Sequence, residues 1–291
     1  MSAHFIAEVS SNHHSDLGRC LRFIDSAAEI GCDSVKFQLF KIDQLFSPEV
    51  LAAREELRQR KAWELPVEFL PELSRYSHEK GLQFSCTPFY LDAVDELTPY
   101  VDYFKIASYE LMWTDLLVKC AKSGKPVVLS TGMATIDEIQ KAVQTLRDAG
   151  CKDLTLLHCI SGYPTPIDEC NLAAIKTLHE VTQCPIGWSD HSVSQSVINR
   201  AVNHWGASTI EFHLDLDGEG EEFKTGHCWL PEQMKEVITQ LQDSALTNNW
   251  LAADGNGEKV PSATELPDRA WRADPHDGLR PLQSTRLQYR N

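Results

Sequence analysis

No Cys-x-x-Cys pair occurs in this 291-residue chain, and its nine cysteines are an odd number. That argues against a disulfide framework and against a zinc or iron–sulfur site built on cysteine. Cys20, Cys32, Cys86, Cys120, Cys151, Cys159, Cys170, Cys184 and Cys228 read instead as reduced thiols, mostly small core residues. Positive charge is also scarce. Lys and Arg number 27 against 42 Asp and Glu, a formal net charge of −15, which disfavours nucleic acid or an anionic membrane as a partner. No apolar stretch approaches the ~20 residues that a membrane span needs. The strand-like start, Met1 to Ile6, lacks the basic segment that opens a signal peptide, so the expected location is cytoplasmic. Internal repeats and low-complexity tracts are absent as well.

What the chain does have is alternation. Eight short β-rich runs, at 4–10, 34–40, 83–89, 103–108, 126–132, 153–159, 185–191 and 209–215, are separated by amphipathic stretches. Residues 17–30, for instance, place Leu17, Leu21, Ile24 and Ala28 on one helical face. Gly31, Gly81, Gly124, Gly150 and Gly206 punctuate the helix ends. Strand–helix alternation implies parallel strands, and eight units in about 245 residues match a closed (β/α)8 TIM barrel better than an open doubly wound sheet. The catalytic domain is expected over 1–250. Residues 41–65 are too long for an ordinary connection and read as an excursion near the mouth, with the charged run 54–61 as solvated surface. Residues 251–291, rich in Gly, Pro, Asp and Arg, read as an irregular tail.

In such a barrel the chemistry stands at the carboxyl ends of the strands. Those ends carry Glu8; Lys36 and Gln38, two apart and hence on one face; Thr87; Lys105 and Ser108, with Glu110 just beyond; Ser130; His158 followed by Ser161 and Tyr163; Ser189 and His191; and Glu211 with His213. A lysine inside a barrel needs an anionic partner. Two lysines with several hydroxyls around one cavity suit phosphate and carboxylate oxygens. Two imidazoles on neighbouring strand ends, His191 and His213, suit a divalent metal. Glu8 is open between a further ligand, a lysine partner and an acid–base group. His158 is read as structural, and His13 and His14 as opening a helix.

These residues stand in motifs that resemble the sialic acid synthase family, the phosphoenolpyruvate-dependent N-acetylneuraminate synthases and their nonulosonate relatives. The matching stretches are Ile6-Ala7-Glu8 with Asn12-His13, Val35-Lys36-Phe37-Gln38, Ser85-Cys86-Thr87-Pro88-Phe89, Phe104-Lys105-Ile106-Ala107-Ser108, Leu129-Ser130-Thr131-Gly132-Met133, Leu157-His158-Cys159, Tyr163-Pro164-Thr165-Pro166, Ser189-Asp190-His191 and Glu211-Phe212-His213. They are collinear over residues 4–245. The resemblance implies condensation of phosphoenolpyruvate with an aldehyde sugar, N-acetylmannosamine-like or related, to a 2-keto-3-deoxy sugar acid and phosphate. It implies Mn2+ or Mg2+ on His191 and His213, and phosphoenolpyruvate at Lys36, Thr87, Lys105, Ser108, Ser130 and Ser189. Glu8 and Glu110 match glutamates near the reacting atoms, Gln38 and Tyr163 match positions facing the sugar, and a homodimer is expected.

The chain departs from that pattern in three places. Residues 252–291 do not resemble the family's C-terminal antifreeze-like domain, which supplies an arginine to the sugar; Arg269, Arg272 and Arg280 are the candidates to replace it, in a segment folded over the mouth as a lid. The loop after His213 lacks the family's Pro-Gly-Pro-Asp turn, leaving Glu222 as its sugar-facing substitute. A family asparagine near the phosphate is replaced by Ser161, whose hydroxyl can serve the same oxygen. Two other readings stay open on the residues: a barrel lyase or aldolase forming a Schiff base on a lysine, and a non-catalytic barrel that binds a sugar acid.

Overall fold

Eight parallel strands hydrogen-bond in sequence order, and the eighth returns to the first. They are β1 (His4–Glu8), β2 (Ser34–Leu39), β3 (Gln83–Pro88), β4 (Tyr103–Ile106), β5 (Val127–Ser130), β6 (Leu154–Cys159), β7 (Ile186–Asp190) and β8 (Thr209–Leu214). The fold is therefore a closed (β/α)8 barrel, seen in a computed structural model that describes residues 3–241 and 251–290. Each strand lies within one of the eight sequence runs, and all but β6 stop short of the run's end. The run at 103–108, for example, leaves the sheet after Ile106 because Ser108–Glu110 closes a 3-10 turn.

A helix follows every strand, from Leu17–Ile30 after β1 to Pro231–Gln240 after β8. Local chemistry sets their ends. Asp16 caps the first helix, its carboxylate accepting from the Arg19 amide at 2.5 Å, and Gly31 ends it in the left-handed conformation at φ 90°. Thr135 and Glu138 form a reciprocal capping box at the start of Ile136–Asp148. His13 and His14 lie before the first helix rather than in it: His13 is buried and only His14 is exposed.

The strand period of two sorts the side chains into layers. Val35, Phe37 and Leu39 of β2, with Ile210 and Phe212 of β8, join the apolar core shared with helix residues such as Phe23, Ile24 and Ala27. The alternate residues, Ser34, Lys36 and Gln38 on β2 and Glu211 and His213 on β8, stand on the other side, within the barrel. Deep in that interior, Ser34 and Tyr103 share a 2.7 Å hydroxyl contact and Ser85 donates to the Tyr103 carbonyl at 3.0 Å. The barrel axis is thus polar well below the mouth.

The excursion after β2 folds as short helical turns, Ile42–Leu45, Pro48–Ala53, Glu55–Gln59 and Arg60–Trp63. It has its own apolar cluster of Phe40, Ile42, Leu45, Phe46, Val50, Leu57 and Phe89, on which Trp271 and Tyr289 pack. The expected domain boundary at residue 250 falls outside the described residues. Beyond it, residues 251–290 carry short turns at Leu251–Asp254, Asp268–Trp271, Gln283–Arg286 and Leu287–Tyr289. This segment is seated on the barrel: the Ala273 amide donates to Tyr109 O at 2.9 Å. Arg280 bonds through its backbone to Leu45 and Ser47 of the excursion at 2.8 and 3.0 Å. No helix among the described residues is long and apolar enough to cross a membrane.

Candidate active site

Register decides which strand-end residues meet. Glu8 stands level with Lys36 on β2 and with His213 on β8; Lys36 is level with Ser85, and Ser189 with Glu211. A cavity of about 390 Å³ opens over these positions. Lys36, Gln38, Thr87, Lys105, Ser108, Ser130, Tyr163, Ser189, His191, His213 and Glu222 all line it. Glu8, Glu110 and Ser161 are buried but are not among its lining residues.

Both lysines are buried and carboxylate-paired. The Lys36 ammonium sits against Glu8, donates to Thr87 Oγ1 at 3.1 Å and lies 3.9 Å from Glu211. Lys105 donates to Glu211 at 3.1 Å, and Ser189 Oγ donates to the same oxygen at 3.2 Å. Burial works against the Lys36 ammonium, but Glu211 and Glu8 outweigh it and raise its pKa. At Lys105 burial prevails over Glu211 and the pKa falls. Burial alone would raise the Glu211 carboxyl; Lys105 and Lys36 instead hold it down at about 2. Glu211, noted on the strand but given no role by the sequence, is thus the hinge between the two cations. Glu8 also accepts from Gln38 Nε2 at 2.6 Å, so the Gln38 amide is engaged inside the wall as well as lining the cavity.

Beside the lysines lies a group of hydroxyls. Ser130 Oγ and Ser161 Oγ are buried without a hydrogen-bond partner, and the Gly132 amide donates to Ser108 Oγ at 2.9 Å. Unpaired buried hydroxyls are costly unless a ligand satisfies them. Two lysines and this hydroxyl set fit an oxyanion such as phosphate. Gly132 makes the convergence possible: a Cβ there would collide with Ser161 Oγ and lie 2.8 Å from Ser108 Oγ. Gly132→Ala is therefore expected to raise the Michaelis constant for a phosphate-bearing substrate about tenfold or more, with little change for a second substrate. Steady-state kinetics with each substrate varied in turn checks this.

In the same cavity, two residues beyond Ser189 and Glu211 along the chain, the imidazoles of His191 and His213 stand with ring centroids 5.3 Å apart. A third, His227, lies 4.7 Å from His213 and 6.2 Å from His191. His191 Nδ1 faces Ile160 O at 2.9 Å and His213 Nδ1 faces Glu222 at 2.8 Å. Each contact fits an Nδ1–H donor and leaves Nε2 free as a ligand atom. Ligand atoms of His213, Glu222, His227 and Cys228 lie within 4.8 Å of one another. Burial pushes the Cys228 thiol up in the absence of a cation, and Asn12 Nδ2 donates to its sulfur at 3.6 Å. Imidazoles with one carboxylate fit a divalent transition cation. Glu222, expected to face a sugar, is also drawn into this cluster. Burial would raise its pKa, yet His213 and His227 hold it well below the carboxylate range, and Ser10 donates to its other oxygen. Tyr163, 39% exposed, covers the cluster with its ring 4.3 Å from His191.

Of the three candidate arginines Arg269, Arg272 and Arg280, only Arg280 lines the cavity. Its guanidinium pairs with Glu110 (Nε to Oε1 2.9 Å) and lies over the Tyr109 ring at 4.3 Å. Arg269 and Arg272 instead pair with Glu138, so they do not serve the mouth. Arg60, read as solvated surface, lines the cavity too. His158 is buried against Trp188 and bonded to the Cys170 and Asn171 carbonyls. Burial brings its pKa down to about 3. His227 escaped the sequence reading because its only ordering signal is the two-residue strand β9 (Cys228–Trp229), which pairs Cys228 with His213 and is too short to see as a pattern.

A closed parallel barrel whose strand ends gather ammonium, hydroxyl and imidazole groups around one cavity defines a (β/α)8-barrel protein with an enzyme-type site. The chain belongs to the NeuB family, whose profile matches residues 23–249. It is 33% identical to the N,N'-diacetyllegionaminic acid synthase of Legionella pneumophila over 93% of this chain and 78% of that protein. The crystal structure of the Bacillus subtilis spore coat polysaccharide biosynthesis protein SpsE superposes with a TM-score of 0.81 at 29% identity, covering 93% of this chain and 77% of that one. That of the Leptospira borgpetersenii N-acetylneuraminic acid synthetase, in complex with citrate, gives 0.76 at 31% identity, covering 92% and 90%.

Proposed function

We propose that this protein condenses phosphoenolpyruvate with an aldehyde sugar to give a 2-keto-3-deoxy sugar acid and phosphate. The single observation that carries the reading is the pairing, across one cavity, of a lysine–hydroxyl cradle with an imidazole cluster. Lys36, Lys105, Thr87, Ser108, Ser130 and Ser189 hold the phosphate and carboxylate oxygens; Ser161 backs the cradle. His191 and His213, with Glu222 and His227 beside them, would hold Mn2+ or Mg2+, which when bound polarises the sugar carbonyl as a Lewis acid. Carbon 3 of the enol ester attacks the aldehyde carbon, water adds at carbon 2, and the tetrahedral centre expels phosphate. Glu8 and Glu110 would move protons once bound substrate loosens their pairs with Lys36 and Arg280, since neither lines the cavity itself. Gln38 and Tyr163 flank the sugar, and the segment after the barrel acts as a lid that brings Arg280 to it.

Holding both reactants in one cavity makes the bimolecular step local. A Schiff-base lyase is the weaker reading: Glu211 and Glu8 hold Lys36 as ammonium, and Lys105, although burial lowers its pKa, donates to the Glu211 carboxylate rather than standing in an apolar pocket. The test is phosphate release from phosphoenolpyruvate with Mn2+ across N-acetylmannosamine, bacillosamine-derived and unacylated sugars. Phosphate is expected only when a suitable aldehyde is present. Silence across the panel, or a borohydride-trapped adduct with pyruvate, would reject the proposal.

A further inference from the structure

One buried carboxylate of the C-terminal segment has no part in the chemistry above. Glu265 is fully buried. Its Oε1 accepts from the Met133 amide at 2.6 Å and from the Ser161 amide at 2.7 Å, while Oε2 accepts from Ser262 at 2.9 Å. Met133 follows β5 and Ser161 follows β6, so one oxygen bridges two adjacent strand-end loops. Those loops carry the hydroxyl cradle. Met133 directly follows Gly132, whose amide holds Ser108 Oγ, and Ser161 supplies one of the two unpartnered hydroxyls.

We propose that Glu265 is a positioning residue that ties these two loops together and so sets the spacing of the hydroxyls for a phosphate group. The inference rests on the phosphoenolpyruvate reading, because it names the part of that substrate the tie serves. A negative charge near an anion site is unfavourable in itself, which makes the geometric role the reason for its presence. A buried cation is nearby: the Lys259 ammonium donates to Cys159 O at 3.2 Å, at the end of β6; burial lowers its pKa and Glu265 works against that. A carboxylate accepting several amide bonds is also a strong, directional anchor, since charge-assisted bonds exceed neutral ones. The tie takes up the loop amides and leaves the hydroxyls to the ligand.

Glu265→Ala, Glu265→Gln and Glu265→Asp in the full chain test this. Glutamine keeps a carbonyl oxygen at the bridging position; aspartate keeps the charge but is one methylene too short to reach both amides. The expected result is a Michaelis constant for phosphoenolpyruvate raised about tenfold or more in the alanine and aspartate variants and by clearly less in glutamine, with the aldehyde constant little changed in all three. Amide hydrogen exchange at Met133 and Ser161 should accelerate in step. An unchanged phosphoenolpyruvate constant in Glu265→Ala overturns the proposal. If alanine does not fold, an aspartate variant closer to wild type than the glutamine variant overturns it, because charge rather than reach would then matter. A wild-type protein that neither turns over nor binds phosphoenolpyruvate refutes the functional reading. Amide exchange still reports the tie in that case, so the two failures are distinguishable.

Discussion

Lys105→Met should lower kcat/KM for phosphoenolpyruvate by at least about a hundredfold, read as phosphate release. Two effects add. The substrate loses a cation in the cavity wall. Glu211, whose nearest ammonium is Lys105 at 3.1 Å, is left with Lys36 at 3.9 Å and an oxygen that already lacks a hydrogen bond. Removing one partner of a buried pair costs about 3–5 kcal/mol, more than the loss of a surface charge by several-fold. The melting temperature should fall with it. Coupling Lys105→Met to Glu211→Leu separates the two effects: the pair of apolar residues is expected to recover most of the stability and none of the activity. Recovery of activity in the double variant would mean that Lys105 serves the fold alone.

The second large effect is expected at His213→Ala. His213 is in contact with His191, His227 and Glu222 at once, so its loss opens the centre of the imidazole cluster. Bound divalent metal, measured by elemental analysis after equilibration with Mn2+ and desalting, should fall from near stoichiometric to near zero. Phosphate release should fall about a thousandfold or more, the scale of a lost Lewis acid worth several kcal/mol. His158→Ala provides the contrast. That ring is buried away from the cavity against Trp188, so its removal should reduce thermal stability while leaving metal content near wild type. Equal metal loss in both variants would contradict the assignment.

The barrel was legible because its signals are local and repeated: eight apolar runs, period-two faces and glycine stops. Strand ends were less legible, since a turn such as Ser108–Glu110 continues the apolar rhythm of β4 while leaving its hydrogen bonds. The site was legible where a reactive residue sits in a strand, as with Lys36, Lys105 and His213, because alternation fixes its face. It was illegible where contact depends on the long-range path of a loop. Glu222 reads as a sugar-facing carboxylate, yet Asn12 Oδ1 accepts from its amide at 3.1 Å and its side chain meets His213 Nδ1 at 2.8 Å. Arg60 reads as one charge in a solvated run, and Arg269, Arg272 and Arg280 read as equivalents. Only the docking of residues 251–290 on the excursion after β2 sends Arg280 to the cavity and the other two to Glu138. Nothing within a few residues of Glu265 announces a partner 104 positions away at Ser161.

The alternation along β8 has an evolutionary consequence. Ile210 and Phe212 face the helices while Glu211 and His213 face the axis. Losing a single codon there would exchange the two sets, driving a carboxylate and an imidazole into the helical shell and hydrocarbon into the reaction chamber. Folding and chemistry would be lost together, so lineages of this barrel can diversify freely in connector length but hardly at all in the length of the staves.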